Sequence, residues 1–166
     1  MKSLIIPALA AAAFVSTPVM AKTFSIPDDA PAVKVTIPDD WNPEEIDAGA
    51  QGTSPDNTTF VSVEVVPADD VKAATAASMR VFSNDPDMKI DESSLHSEDS
   101  AIGSSKTTDI TFTGSNDDGP QQFEIMLLQL GTSGKFLIVS YWGTPDGDKS
   151  NKAAFDQIVG GLDLIQ

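Results

Sequence analysis

The chain contains no cysteine, which excludes disulfides, thiolate metal centres and the lipid-bearing thiol of a bacterial lipoprotein. It has one histidine, His96, within Ser93-Ser94-Leu95-His96-Ser97-Glu98-Asp99. One imidazole cannot form a histidine metal cluster. A Ser–His–acid triad would need that imidazole beside a nucleophile, and no G-x-S-x-G elbow accompanies it. An enzyme centred on His96 therefore ranks last among the readings, and no catalytic or cofactor-binding residue is assigned. Basic residues are scarce too: ten Lys and Arg stand against 25 Asp and Glu, a net charge of −15. Such a field repels phosphate backbones and anionic headgroups. Nucleic acid and membrane surfaces are not expected as partners, while basic proteins and cations remain.

What is present begins with an export signal. Lys2 precedes an apolar run from Leu4 to Val15, and Val19-Met20-Ala21 is an A-x-A-like cleavage site. Residues 1–21 read as a secretory signal peptide, too short in its apolar run to span a bilayer, so a periplasmic or secreted protein without a membrane anchor is expected. Removing Lys2 leaves nine basic and 25 acidic residues, a mature charge of −16. Residues 22–166 are one domain's worth of chain. A domain of that size buries about 68–70% of its unfolded surface and needs no cross-links. A monomer or a homodimer is expected.

The stretch around which this domain is organised is Phe123 to Trp142, two apolar runs flanking Gly131-Thr132-Ser133-Gly134. That pattern predicts a β-hairpin. Phe123, Ile125 and Leu127 share one face of the first strand and Met126, Leu128 and Leu130 the other. Strands apolar on both faces must be covered on both. If the helices lay on one face only, a strand layer or another chain would have to cover the other.

Further strands are expected over Val33–Ile37, over Thr59–Val66, over Ser104–Thr113 and, short, over Glu45–Ala50, from alternation and β-branched content. Lys22–Pro31 reads as a loosely held N-terminal segment, Lys89–Ile102 as an irregular strand or loop, and Gly114–Pro120 as a turn. Asp69 is the expected cap of a helix whose inner face is Val71, Ala74, Thr75, Ser78, Met79 and Phe82. A second helix is expected from near Ser150, with Phe155, Ile158, Val159 and Leu162 inward. Strands, helix, strands, helix makes an α+β fold, a mostly antiparallel sheet with helices packed on it.

Two sets of residues are candidate sites. Asp146, Asp148 and Ser150 are spaced like the first, third and fifth positions of a calcium loop. Asn151 stands where that loop needs glycine and Gln157 where it needs glutamate, so at most a weak calcium site is expected, and a helix N-terminus explains the same residues. Trp41, Tyr141 and Trp142 sit at strand ends and are candidates for a partner face.

Val35-Thr36-Ile37-Pro38-Asp39-Asp40-Trp41 is similar to a strand ending in an apolar-Pro-x-x-Trp turn. With the Phe60–Val65 strand, the Val71–Phe82 helix, the central hairpin and the closing helix, the layout resembles the PsbP-like fold family. That family includes an extrinsic subunit of plant photosystem II, a yeast import factor that binds the small GTPase Ran, and exported bacterial proteins. The resemblance implies an α/β/α sandwich and an exported, non-catalytic accessory module that binds a protein. The alternative is an acidic binder of a small ligand or of a divalent cation such as calcium.

Overall fold

The computed structural model describes residues 20–83, 86–102, 105–132 and 134–165. All of the expected signal peptide but Met20 and Ala21 lies outside the described residues. Among the described residues ten strands and two α-helices run in the order β1 (Ala21–Ile26), β2 (Val33–Pro38), β3 (Glu44–Ile46), β4 (Gly49–Thr53), β5 (Thr59–Pro67), α1 (Val71–Ser83), β6 (Lys89–Ile102), β7 (Ser105–Asn116), β8 (Gly119–Gln129), β9 (Lys135–Gly143), α2 (Pro145–Gly160) and β10 (Asp163–Leu164).

The strands form two antiparallel sheets. Seven make the order β3-β4-β5-β9-β8-β7-β6, and three make β1-β2-β10. The expected hairpin is β8–β9, paired Phe123↔Trp142, Ile125↔Ser140 and Leu127↔Ile138, at the middle of the large sheet. Its two faces belong to two cores. Phe123, Ile125 and Leu127 join Ile110, Phe112, Phe136 and Ile138 beneath Ala74 and Phe82 of α1. Met126, Leu128, Leu137 and Val139 join Val61 and Val63 on the opposite face, beneath Phe155 and Ile158 of α2 and the small sheet's Phe24, Val33, Val35 and Ile37. One helix lies on each face, so the α+β sandwich is satisfied within one chain.

Several local expectations change for physical reasons. Lys22–Pro31 is not loose: β1 pairs with β2 along its whole length, and Phe24 and Ile26 are buried. Two alternating apolar residues beside a proline were too short a signal. The expected Glu45–Ala50 strand is split by a turn into β3 and β4. Lys89–Ile102 is a full strand. As the outermost strand it needs no apolar face, so alternation was missing. Its register slips between Asp91 and His96, where the Ser94 hydroxyl accepts the Thr113 N–H at 2.8 Å. The expected turn over Gly114–Pro120 shrinks to Asp117-Asp118, with Gly119 in a positive-φ conformation (φ 111°).

Both helix starts move. Asp70, not Asp69, caps α1, its Oδ1 accepting the Ala73 N–H at 2.7 Å. α2 begins at Pro145 rather than near Ser150. The Thr144 hydroxyl caps it, accepting the Gly147 N–H at 3.1 Å. Thr-Pro-Asp is an N-terminal signature: cap, proline where no N–H is needed, then an acid on the positive end of the dipole.

Candidate functional site

Residues paired across neighbouring strands share a face, so each row of the large sheet can be followed from centre to edge. On the α2 side one row runs Val61, Tyr141, Glu124, Thr111, His96, and the next Val63, Val139, Met126, Asp109, Glu98. Both begin apolar under α2 and the small sheet; the first turns polar at Glu124 of β8 and the second at Asp109 of β7. Where the cover ends, a groove of about 290 Å³ opens between α2 and strands β7 and β8. Glu124, Thr111 and Tyr141 line it from the sheet, and Asp148, Lys152 and Phe155 line it from the helix.

The groove is acidic and its charges are constrained. Glu124 is half-buried. Burial first, then the charge of Asp109, holds its carboxyl above the usual glutamate range; Lys152 opposes this, and Asp148 and Asp156 add to it. Asp109 keeps a buried Oδ1 with no hydrogen-bond partner. Tyr141, packed on the Phe155 ring at a centroid distance of 4.2 Å, donates its hydroxyl to Asp148 Oδ1 at 3.0 Å. Burial and that carboxylate push its phenol well above the ordinary range. Lys152 is the only cation among the described residues that line the groove, and Asp156 engages it at 2.7 Å. The hydrogen bond to Asp156 raises its pKa.

No protein-family model matches the sequence, and no curated protein is significantly similar to it. Solved structures are similar in fold. Cyanobacterial PsbP (CyanoP) from Synechocystis sp. PCC 6803 superposes with a TM-score of 0.61 at 12% identity, over 95% of this chain and 99% of that one. The chain has the PsbP-like fold. LpqN of Mycobacterium tuberculosis, described as involved in cell envelope biogenesis, matches at 0.57 and 13% identity over 88% of this chain and 92% of its own. A mutant of Mog1 matches at 0.51 and 14% over 89% and 97%.

Within this PsbP-like fold the residues singled out from sequence do not converge. Trp41 is 2% exposed and buried in the α2-side core. Tyr141 is equally buried and lines the acidic groove, where its hydroxyl meets Asp148. Trp142 points to the opposite face, half-buried and stacked on Phe60 at 3.9 Å. The calcium-like residues lie on the first turns of α2, not on a loop. Asp146 faces Lys149 at 3.5 Å, Asp148 is taken by Tyr141, and the Ser150 hydroxyl donates to the Asp146 carbonyl at 2.9 Å. The helix turns Asp148 away from the other two. Among the described residues no group of three or more acidic or histidine side chains could hold a metal. His96 is exposed on β6, with Glu98 3.9 Å away.

Sequence reasoning passed over Glu124 and Asp109. The available signal was a lone carboxylate in the middle of the most apolar hairpin, where burying a charge is costly. It also missed Asp56. Its carboxylate accepts from the Ser54 hydroxyl (2.6 Å), the Thr58 hydroxyl and N–H (2.7 and 3.2 Å) and the Asn151 amide (3.3 Å). The Asn151 amide also donates to Thr59 Oγ1, tying the β4–β5 loop to α2. Led by the Ser54 and Thr58 hydroxyls, these bonds lower the Asp56 pKa to about 2. A lowered carboxyl contributes stability above its unfolded value, and that contribution is lost as pH falls toward 2. Because Asp56 is exposed, Asp56→Ala is expected to cost only ~1 kcal/mol at pH 7. Chemical denaturation of wild type and variant should converge near pH 2.

Proposed function

We infer that the protein is an exported, non-catalytic accessory module that holds a basic segment of a partner protein in the acidic groove beside α2. The observation that carries this reading is Glu124. Its charge is half-buried next to Asp109 and raised in pKa, and only Lys152 offsets it. A lysine or arginine side chain entering the groove would relieve that repulsion and pair with a partly desolvated carboxylate, the geometry in which charge-assisted hydrogen bonds are strong. The net acidity of the chain supports fast, salt-sensitive encounter with a basic partner. No helix among the described residues is long and apolar enough to cross a membrane. The A-x-A-like site before Lys22 supports export.

The test is crosslinked capture from a periplasmic fraction by the tagged mature protein, beside Glu124→Gln. Wild type is expected to retain a partner that is released by high salt and not retained by the variant. Equal capture by both, or turnover in a hydrolase panel, would overturn the reading.

Two pH effects of opposite sign accompany it. A carboxyl raised in the fold contributes stability below its unfolded pKa and loses that contribution as pH rises through the folded value. Glu124→Gln should therefore raise the melting temperature at pH 7 by a few degrees and change little at pH near 4. Partner capture by wild type should instead strengthen as pH rises and Glu124 ionises.

A further inference from the structure

A second hollow, of about 560 Å³, lies at the end of the large sheet on the α1 face, between the β4–β5 loop and the β7–β8 turn. We propose that it is a binding site for a neutral saccharide, with the stacked Phe60–Trp142 pair as its apolar wall. Both rings line the hollow and both are half-buried, so part of each faces the cavity, while the two stack on one another at 3.9 Å. Phe82 packs edge-on against Trp142 at 5.3 Å and holds the indole in place.

The rest of the lining is polar and, among the described residues, carries no cation. Asn116 accepts the Asp118 N–H and the Gln121 amide, each at 3.0 Å, through its Oδ1, which fixes the amide and turns its NH2 group into the available donor. Asp118 adds an exposed carboxylate acceptor, and Asn57, in a left-handed conformation (φ 56°), adds a second amide on the opposite wall. Planar aromatic surface bordered by amides and one carboxylate suits a ring with C–H groups on its faces and hydroxyls at its rim. The carboxylate and the absence of a cation disfavour phosphorylated or acidic ligands. The site faces away from the acidic groove and does not depend on the reading given for it.

Tryptophan fluorescence reads this site selectively, because the other tryptophan, Trp41, is buried in the opposite core. Titrating the full mature protein with maltose, cellobiose and chitobiose is expected to give a saturable emission change with at least one. Asp118→Ala, on an exposed turn, should weaken that binding about tenfold, the scale of one charged hydrogen bond. Asn57→Gly keeps the left-handed backbone and should weaken it as well. The proposal is overturned by no saturable change with any of the sugars, by equal affinity in both variants, or by a response confined to a proline-rich control peptide.

Discussion

Replacing Phe82 with alanine is expected to cost about 3–5 kcal/mol, the range for deleting a buried aromatic side chain. Phe82 is the one ring that α1 places over the sheet. It meets Phe112, Phe123 and Trp142 edge-on at centroid distances of 5.7, 5.0 and 5.3 Å and is 2% exposed. Phe112 and Phe123 stack beneath it at 4.7 Å, and Trp142 and Phe60 continue the row. No neighbour can fill the space without abandoning one of these contacts, so a cavity remains. At about 2–4 °C per kcal/mol for a chain of this size, the melting temperature should fall by roughly 6–20 °C. Calorimetry checks the size. A red shift of tryptophan emission would show that the loss is at Trp142, since Trp41 lies in the other core.

Gly147→Ala acts at the other face. A Cβ at Gly147 would meet the Thr58 side chain at Oγ1 and, at 2.6 Å, at Cβ, and the Thr58 carbonyl oxygen at 2.8 Å. Backbone on one side and a short side chain on the other cannot yield, so the first turn of α2 must lift off the β4–β5 loop at Thr58. The expected cost is about 3 kcal/mol, at the upper end for overpacking. The lift also pulls Asp148 from Tyr141 and Asn151 from Asp56. The chain has a single tyrosine, so ultraviolet titration reads Tyr141 alone. In wild type its ionisation is held above the ordinary range; in the variant it should move back toward about 10. A normal Tyr141 titration in wild type would contradict the buried hydroxyl–carboxylate pair.

These sites also mark how far the residues could be read. The hairpin, β5 and the inner face of α1 were legible because burial on one or both faces leaves an apolar period in the sequence. The first helix cap is read one position early, at Asp69 instead of Asp70, and the second helix start several positions late, near Ser150 instead of at Thr144-Pro145, because several residues in a row could serve and only backbone direction chooses. β1 and β6 were poorly legible for opposite reasons: one buries only Phe24 and Ile26 in a separate small sheet, and the other is almost wholly solvated. The acidic groove was not legible at all. Glu124 and Asp109 come from different strands, Asp148 and Lys152 from the closing helix, and only pairing and the reach of α2 bring them together. The bulky rings were visible as residue types, yet which face each takes depends on strand parity set by turns far away.

The outermost strand has one more consequence, for self-association. β6 ends the large sheet with a fourteen-residue row of backbone groups turned to solvent, the geometry by which sheets zip onto one another. It carries Asp91, Glu92, Glu98 and Asp99, and its register is broken beyond Asp91. A second copy docking edge to edge would bring two such rows of carboxylates face to face, with only Leu95 as an exposed large apolar side chain in the strand. The border that is longest and least covered is thus also the one where like charge keeps copies apart, and the molecule can stay dispersed without hiding it.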